Sequence, residues 1–196
     1  MEANRKFAEK QYWDNRFHDE KEYEWFGMSF LDLLPVLQKH DVPIDPSMSV
    51  LMLGTGNSSL PIEMVKFGKW SLVTAIDFSH VVLEMMNSRA KSMKHAGNIE
   101  WLTSDLRCMP FRSNTFDIVF EKGTLDVFFV GEKDPWSTSE NTQAIMSIII
   151  KQVTVFFNSI YQKYNSSSAF RFTICYQKTE FFCQSHLHNH IFGYLT

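Results

Sequence analysis

Ser49-Val50-Leu51-Met52-Leu53-Gly54-Thr55-Gly56-Asn57-Ser58 is the stretch from which the rest of the chain is read. Its apolar run, Val50 to Leu53, is too short for a helix and stops at two glycines, which predicts a buried parallel strand delivering a tight turn. Glycine there lets the main chain approach a ligand closely and take positive φ without steric cost. Beyond the turn, Asn57 or Ser58 can cap a helix whose first turn holds Pro61 and Glu63, both favoured at helix starts. The predicted unit is strand, glycine turn, helix.

A lone G-x-G turn also serves dinucleotide-binding domains, other mononucleotide sites and plain α/β loops. The next predicted strand, Ser71 to Ile76, narrows the choice because it ends in an acid, Asp77. A carboxylate at the tip of the second strand, about 20 residues past the glycines, is placed to accept hydrogen bonds from both hydroxyls of a ribose. A third strand, Ile99 to Thr103, is followed by Asp105, and a fourth, Phe116 to Phe120, by Glu121-Lys122-Gly123. Every predicted strand end carries polar chemistry. The order strand, helix, strand, helix, strand, short connection, strand predicts an α/β fold with a mostly parallel sheet.

The chain has 196 residues, 44% hydrophobic and 15% aromatic, enough to bury a core as one domain. A net charge of −3 gives no global reason to expect nucleic acid. No run of 18 apolar residues is present, and Met1-Glu2-Ala3-Asn4-Arg5-Lys6 lacks an apolar signal region, so a cytosolic protein without a membrane partner is expected. Cys108, Cys175 and Cys183 have no zinc-like spacing, and their odd number argues against a disulfide framework. The Asn-x-Ser sites at Asn57 and Asn165 carry no meaning without secretion.

From Phe7 to Phe17 aromatic and charged residues recur at helical spacing, with Trp13 and Phe17 four apart on one face. Tyr23-Glu24-Trp25-Phe26-Gly27 then packs three aromatics before a turn, suiting either core packing or a cover for a ligand. Phe30, Leu33, Leu34 and Leu37 predict a helix, and residues 40–48 a proline-bearing connector. Leu60 to Phe67 is the expected crossover helix ended by Gly68, followed by Val81 to Met93 capped by Ser79, with methionines 85, 86 and 93 filling one face. Pro110 to Asn114 is a turn and Asn141 to Phe157 a further helix.

Several of these segments together resemble the class I S-adenosylmethionine-dependent methyltransferases, with a Rossmann-like sheet covered by helices on both faces. Within them the chain is similar to the protein-lysine methyltransferases of the elongation factor 1-alpha lysine methyltransferase 4 and methyltransferase-like 13 group. The segments are Tyr12-Trp13-Asp14-Asn15-Arg16-Phe17, Tyr23-Glu24-Trp25-Phe26-Gly27, Leu53-Gly54-Thr55-Gly56-Asn57-Ser58, Asp77-Phe78-Ser79, the run from Phe116 through Glu121-Lys122-Gly123-Thr124-Leu125-Asp126, and Asp134-Pro135-Trp136. The resemblance implies S-adenosyl-L-methionine as cofactor, held by Gly54 and Gly56 at its amino acid part, Asp77 at the ribose, Phe78 beside the adenine, and Asp105 with Leu106 at the adenine amine and ring. It further implies that Trp13, Phe17 and Trp25 cover the cofactor and that Lys122 is a binding residue. Without it, Lys122 reads as a solvated strand-end lysine and Asp126 equally as a helix N-cap.

The implied chemistry is methyl transfer to a lysine amine of a protein, a translation elongation factor being the expected partner, with no metal. Because a free lysine is nearly all protonated at pH 7, an acceptor must favour proton loss, and Glu121 and Asp126 are the candidates. Two departures from the family stand out. Thr55 occupies the middle of the usual Gly-Cys-Gly, and after about residue 142 the expected fifth strand, introduced by a Pro-Gly-Gly turn, is not recognisable. The expected organisation is one domain, with a helical N-terminal cap at 1–48, a cofactor-binding core at 49–142 and a divergent C-terminal part at 143–196 whose strands are divergent or incomplete. There Phe170 to Tyr176 is strand-like, and His186, His188 and His190 would share one face of a strand. A catalytically weak, cofactor-binding module acting through protein contacts is the alternative. A nicotinamide oxidoreductase is disfavoured, since the third glycine and a catalytic Tyr/Lys pair are absent.

Overall fold

A computed structural model describes residues 2–39, 42, 44–93, 98–132, 138–156, 172–177 and 180–183. Before the sheet come α1 (Lys10–Asp19) and α2 (Phe30–Lys39), with 3-10 turns at Glu2–Ala8 and Trp25–Gly27. Then follow β1 (Ser49–Leu53), α3 (Leu60–Gly68), β2 (Leu72–Asp77), α4 (His80–Ser92), β3 (Ile99–Thr103) and β4 (Ile118–Lys122). A 3-10 turn at Leu125–Phe129, α5 (Glu140–Phe156), β5 (Phe172–Gln177) and β6 (Glu180–Cys183) complete the elements. The sheet order is β3-β2-β1-β4-β5-β6, parallel throughout except for β6, which runs antiparallel to β5.

β1 lies at the centre, and its side chains from Val50 onward are buried on both faces, as the unbroken apolar run requires. Val50 and Met52 pack with Val73 and Phe120 against Phe30, Leu37, Leu60 and Met64 of α2 and α3. On the opposite face, Leu51, Leu53, Ile76 and Val119 meet Ile149, Val153 and Phe156 of α5. Ala75 and Ile99 pack with Val82, Leu83 and Met86 of α4 and with Trp13 and Phe17 of α1. A fully buried side chain of this size contributes about 1.5–3 kcal/mol, so the two-sided packing of β1 anchors the fold. The chain leaves β1 toward β2 and β3, then returns to β4 on the other side. That switch point opens a crevice at the carboxyl ends of β1 and β4.

Several local expectations are corrected. β4 begins two residues later than Phe116 and runs through Glu121 and Lys122, so those two side chains are held by the sheet rather than by a loop. Phe116 instead donates its backbone N–H to Phe156 O and packs edge-on to Phe111. The left-handed residue after α3 is Lys69 (φ 59°), not Gly68. Gly68 is needed for a different reason: an added Cβ would come within 2.9 Å of both Phe30 and Trp70. Met93 does not join Met86 in the core but lies exposed at the end of α4. A fifth strand is present without its Pro-Gly-Gly turn, because Phe172–Gln177 pairs in parallel with β4, which therefore has neighbours on both edges. The Asp134-Pro135-Trp136 segment, Asn165 and the three C-terminal histidines lie outside the described residues. Among the described residues, no helix is long and apolar enough to cross a membrane.

Candidate functional site

The glycine turn after β1 supplies the floor of a cleft at the switch point. Gly54 and Gly56 both take left-handed backbone (φ 59° and 52°), and Thr55 N donates to Ile76 O at 2.9 Å, tying the turn to the end of β2. Gly56 N then donates to Asp77 Oδ2 and Ser79 N to Asp77 Oδ1, each at 2.9 Å. Both carboxylate oxygens thus accept backbone N–H groups. Asp77 is 6% exposed, and burial pushes its pKa up from 3.8 to about 6. Hydrogen bonds from the backbone of Ser79, Gly56 and Phe78 oppose that rise, and the nearby charge of Asp14 adds to it.

An aromatic shell from the N-terminal segment closes over this floor. Trp13 stacks on Phe17 with ring centres 5.6 Å apart, and Trp25 meets Trp13 and Tyr23 edge-on at 6.2 and 5.1 Å. The Arg16 guanidinium lies 5.0–5.5 Å from the centres of Trp13, Tyr23 and Trp25 while Glu20 grips it with both oxygens at 2.8 and 2.9 Å. Such cation–π contacts favour this cluster over separate exposed rings.

Glu24 and Lys122 fasten the shell to the sheet. Lys122 is no solvated strand-end lysine: its side chain is 5% exposed, and Nζ donates to Glu24 Oε2 at 2.5 Å and to the carbonyls of Trp25 and Met28 at 3.3 Å. Glu24 also accepts from Ser58 Oγ (2.7 and 2.9 Å) and from Ser59 N (2.7 Å). The start of α3 is therefore capped from 35 residues away, and Ser58 Oγ accepts from Leu60 N. Asn57 does not cap α3; its side chain donates to Glu20 O at 2.9 Å and links the turn to the end of α1. Phe26 is forced into left-handed backbone (φ 66°), which costs a non-glycine residue roughly 1–2 kcal/mol and persists because Glu24 and Lys122 hold both flanks.

The cleft is lined by Trp13, Phe17, Trp25, Gly54, Gly56, Asp77, Phe78 and Lys122, eight residues singled out from sequence. Tyr23, Ser58, Thr124 and Val127 join them. Tyr23 and Thr124 lay within the quoted motifs, but nothing in their chemistry marked them as lining. Asp105, Leu106, Glu121 and Asp126 are not brought to the lining. Asp105 turns to Arg107, which contacts both of its oxygens at 2.5–3.0 Å and holds its pKa below the ordinary value, whereas Leu106 is buried in the core beside Met109. Glu121 is 2% exposed, and its Oε1 accepts from the N–H groups of Thr124 and Leu125 at 2.6 and 2.8 Å. Asp126 lies half-buried in the first turn of the 3-10 helix, whose N-cap is Thr124.

The cleft is narrow and partly open to solvent. Among the described residues no group of three or more His, Cys, Asp or Glu is arranged to hold a metal ion.

A family model described as "Methyltransferase domain" matches residues 44–188. The EEF1A lysine methyltransferase 4 of Bos taurus is 39% identical over 159 residues, 78% of this chain and 58% of the relative. That of Mus musculus is 36% identical over 156 residues, with the same shares. The eEF1A lysine and N-terminal methyltransferase of Homo sapiens is 32% identical over 134 residues, 67% of this chain and 18% of that protein. The chain thus spans 58% of the length of the first two relatives. A solved structure from Methanococcus maripaludis, named as a candidate S-adenosyl-L-methionine-dependent methyltransferase, superimposes with a TM-score of 0.53 at 14% identity over 86% of this chain and 64% of its own. That likeness is one of fold, the Rossmann-like α/β arrangement of a parallel sheet between helices. With three quarters of its length matched by that model, the chain belongs to the methyltransferase domain family.

Proposed function

We propose that this chain is an S-adenosyl-L-methionine-dependent protein-lysine N-methyltransferase acting in the cytosol on a translation elongation factor. One observation carries the reading: a single cleft is lined by the glycine turn, Asp77, Lys122 and the aromatic shell, in a chain whose relatives are named as EEF1A lysine methyltransferases. The residues present suit the cofactor chemically. Asp77 presents a carboxylate that could accept from ribose hydroxyls, Gly54 and Gly56 permit close main-chain approach, and Phe78 offers a ring face. The names of the relatives do not favour the alternative of a catalytically weak module.

When bound, the cofactor supplies an electrophilic methyl on a positively charged sulfur. Only a neutral amine could take that methyl, so the substrate lysine's ammonium would have to give up its proton to an acceptor first. Holding nucleophile, methyl and sulfur in line is the main task, and the stacked aromatics serve it by excluding water and fixing position. Of the two carboxylates expected to take the proton, Asp126 adjoins Val127 on the cleft wall and is the better placed. Glu121 already spends one oxygen on two backbone N–H groups.

The reading is tested by incubating the full chain with methyl-labelled cofactor and purified elongation factor 1-alpha, then locating label by mass spectrometry. Label on a lysine side chain supports it. Absence of cofactor binding by calorimetry overturns it.

A further inference from the structure

Thr124, two residues past the end of β4, touches the glycine turn. Its Oγ1 donates toward Gly54 O at 2.9 Å, with Leu53 O at 3.3 Å, and its side chain stands against Gly54 so closely that an added Cβ there would lie 2.1 Å from Thr124 Cγ2. Thr124 is in turn held by Glu121, whose Oε1 takes the backbone N–H groups of both Thr124 and Leu125. On the other side Gly123 (φ 74°) lets Phe26 pack within 3.1 Å of where a Cβ would stand. The sequence Glu121-Lys122-Gly123-Thr124 therefore forms a brace between the end of β4, the turn after β1 and the aromatic shell.

We infer that Thr124 is a positioning residue for the cofactor-binding turn, and that Glu121 acts through it rather than by accepting the substrate's proton. The inference rests on the proposed cofactor use. Two features separate it from simple packing. The hydroxyl is directed at main-chain oxygens of the turn itself, which have few other ways of being fixed while Gly54 keeps left-handed backbone. Glu121 needs only an acceptor oxygen to cap Thr124 and Leu125, whereas a proton acceptor needs an ionised carboxylate. An amide at residue 121 could therefore serve the brace but not act as a base, which separates the two roles.

The test uses the full chain with S-adenosyl-L-methionine in calorimetric titration, backed by amide hydrogen exchange of residues 54–58. Thr124→Val keeps the shape and removes the donor; affinity should fall about tenfold, the size of one lost hydrogen bond, and exchange in the turn should rise. Thr124→Ser keeps the donor and should stay within about threefold of the parent chain, a difference under about 0.7 kcal/mol. Glu121→Leu should behave like Thr124→Val. Glu121→Gln retains an acceptor oxygen and should restore affinity, with no shift in the pH profile of methyl transfer. Unchanged affinity and exchange in Thr124→Val would overturn the brace. Undiminished cofactor affinity with lost turnover in Glu121→Gln would return Glu121 to the role of proton acceptor. A parent chain that binds cofactor but methylates no lysine would defeat the proposed reaction while leaving the Thr124 comparison intact.

Discussion

Replacing Glu24 with alanine should loosen the aromatic shell and destabilise the whole chain, although residue 24 belongs to no long helix or strand. The substitution removes the acceptor for Lys122 Nζ, Ser58 Oγ and Ser59 N, and leaves an ammonium that is 5% exposed with only the Trp25 and Met28 carbonyls at 3.3 Å. An orphaned, fully buried charge costs about 3–5 kcal/mol, and a single hydrogen bond to a charged group about 1.5–3 kcal/mol. Because Glu24 is 23% exposed and Lys122 keeps two carbonyl partners, the loss should fall in the lower range, about 2–3 kcal/mol. For a chain of this length that lowers Tm by roughly 4–12 °C. Lys122→Met should cost less, about 1–2 kcal/mol, since Glu24 remains bonded to the start of α3 and reaches solvent. In a double-mutant cycle followed by thermal unfolding, Glu24→Ala with Lys122→Met should cost less than the sum of the singles by about 1–2 kcal/mol. Strict additivity, or a Tm for Glu24→Ala within about 1 °C of the parent chain, would refute the fastening role, since ~1 kcal/mol alone moves Tm by more than that.

Asp77→Ala should leave the fold intact and weaken cofactor binding a hundredfold or more, since two charge-assisted hydrogen bonds of about 1.5–3 kcal/mol each are lost; unchanged affinity in calorimetry would remove Asp77 from the site. Asp77 is an acid whose folded pKa, about 6, stands above the ordinary 3.8 because of burial, so the native chain holds the extra proton between those values. Its contribution to stability therefore falls as pH rises through that window, and a ligand that needs the carboxylate ionised should bind progressively more weakly as pH drops below about 6; a flat affinity from pH 7.5 to 5 would contradict this. Gly54→Ala places a Cβ 2.1 Å from Thr124 Cγ2 at a left-handed position and should abolish binding, with partial recovery when Thr124→Gly is added; an equally inactive double variant would show that backbone conformation alone explains the glycine.

β1, the glycine turn and the acid at the tip of β2 were legible because each is a local signal: an apolar run, two glycines and a carboxylate within 30 residues. The membership of Trp13, Phe17 and Trp25 in the lining was readable only through the family resemblance, since aromatics before such a strand suit core packing equally well. Glu24 was not, because its meaning depends on Lys122, 98 residues away, and on Ser59, 35 residues away. Phe116 has the character of strand sequence yet spends its N–H on the end of α5, so β4 starts two residues later. The resemblance points Asp105, just after β3, at a ligand, but Arg107 two residues on engages its carboxylate. Glu121 looked like an acid at a strand end and lies instead inside the strand, turned to the backbone of the next turn. β5 lacked its usual turn, so its strand-like residues gave no sign of pairing with β4.

The account stands most directly on one measurement: mass spectrometry of elongation factor 1-alpha after incubation with this chain and isotopically labelled S-adenosyl-L-methionine, run beside the Asp77→Ala variant. The account predicts label on a defined lysine with the parent chain and none with the variant. Label that persists with Asp77→Ala, or a parent chain that binds the cofactor and leaves every lysine unlabelled, would contradict it.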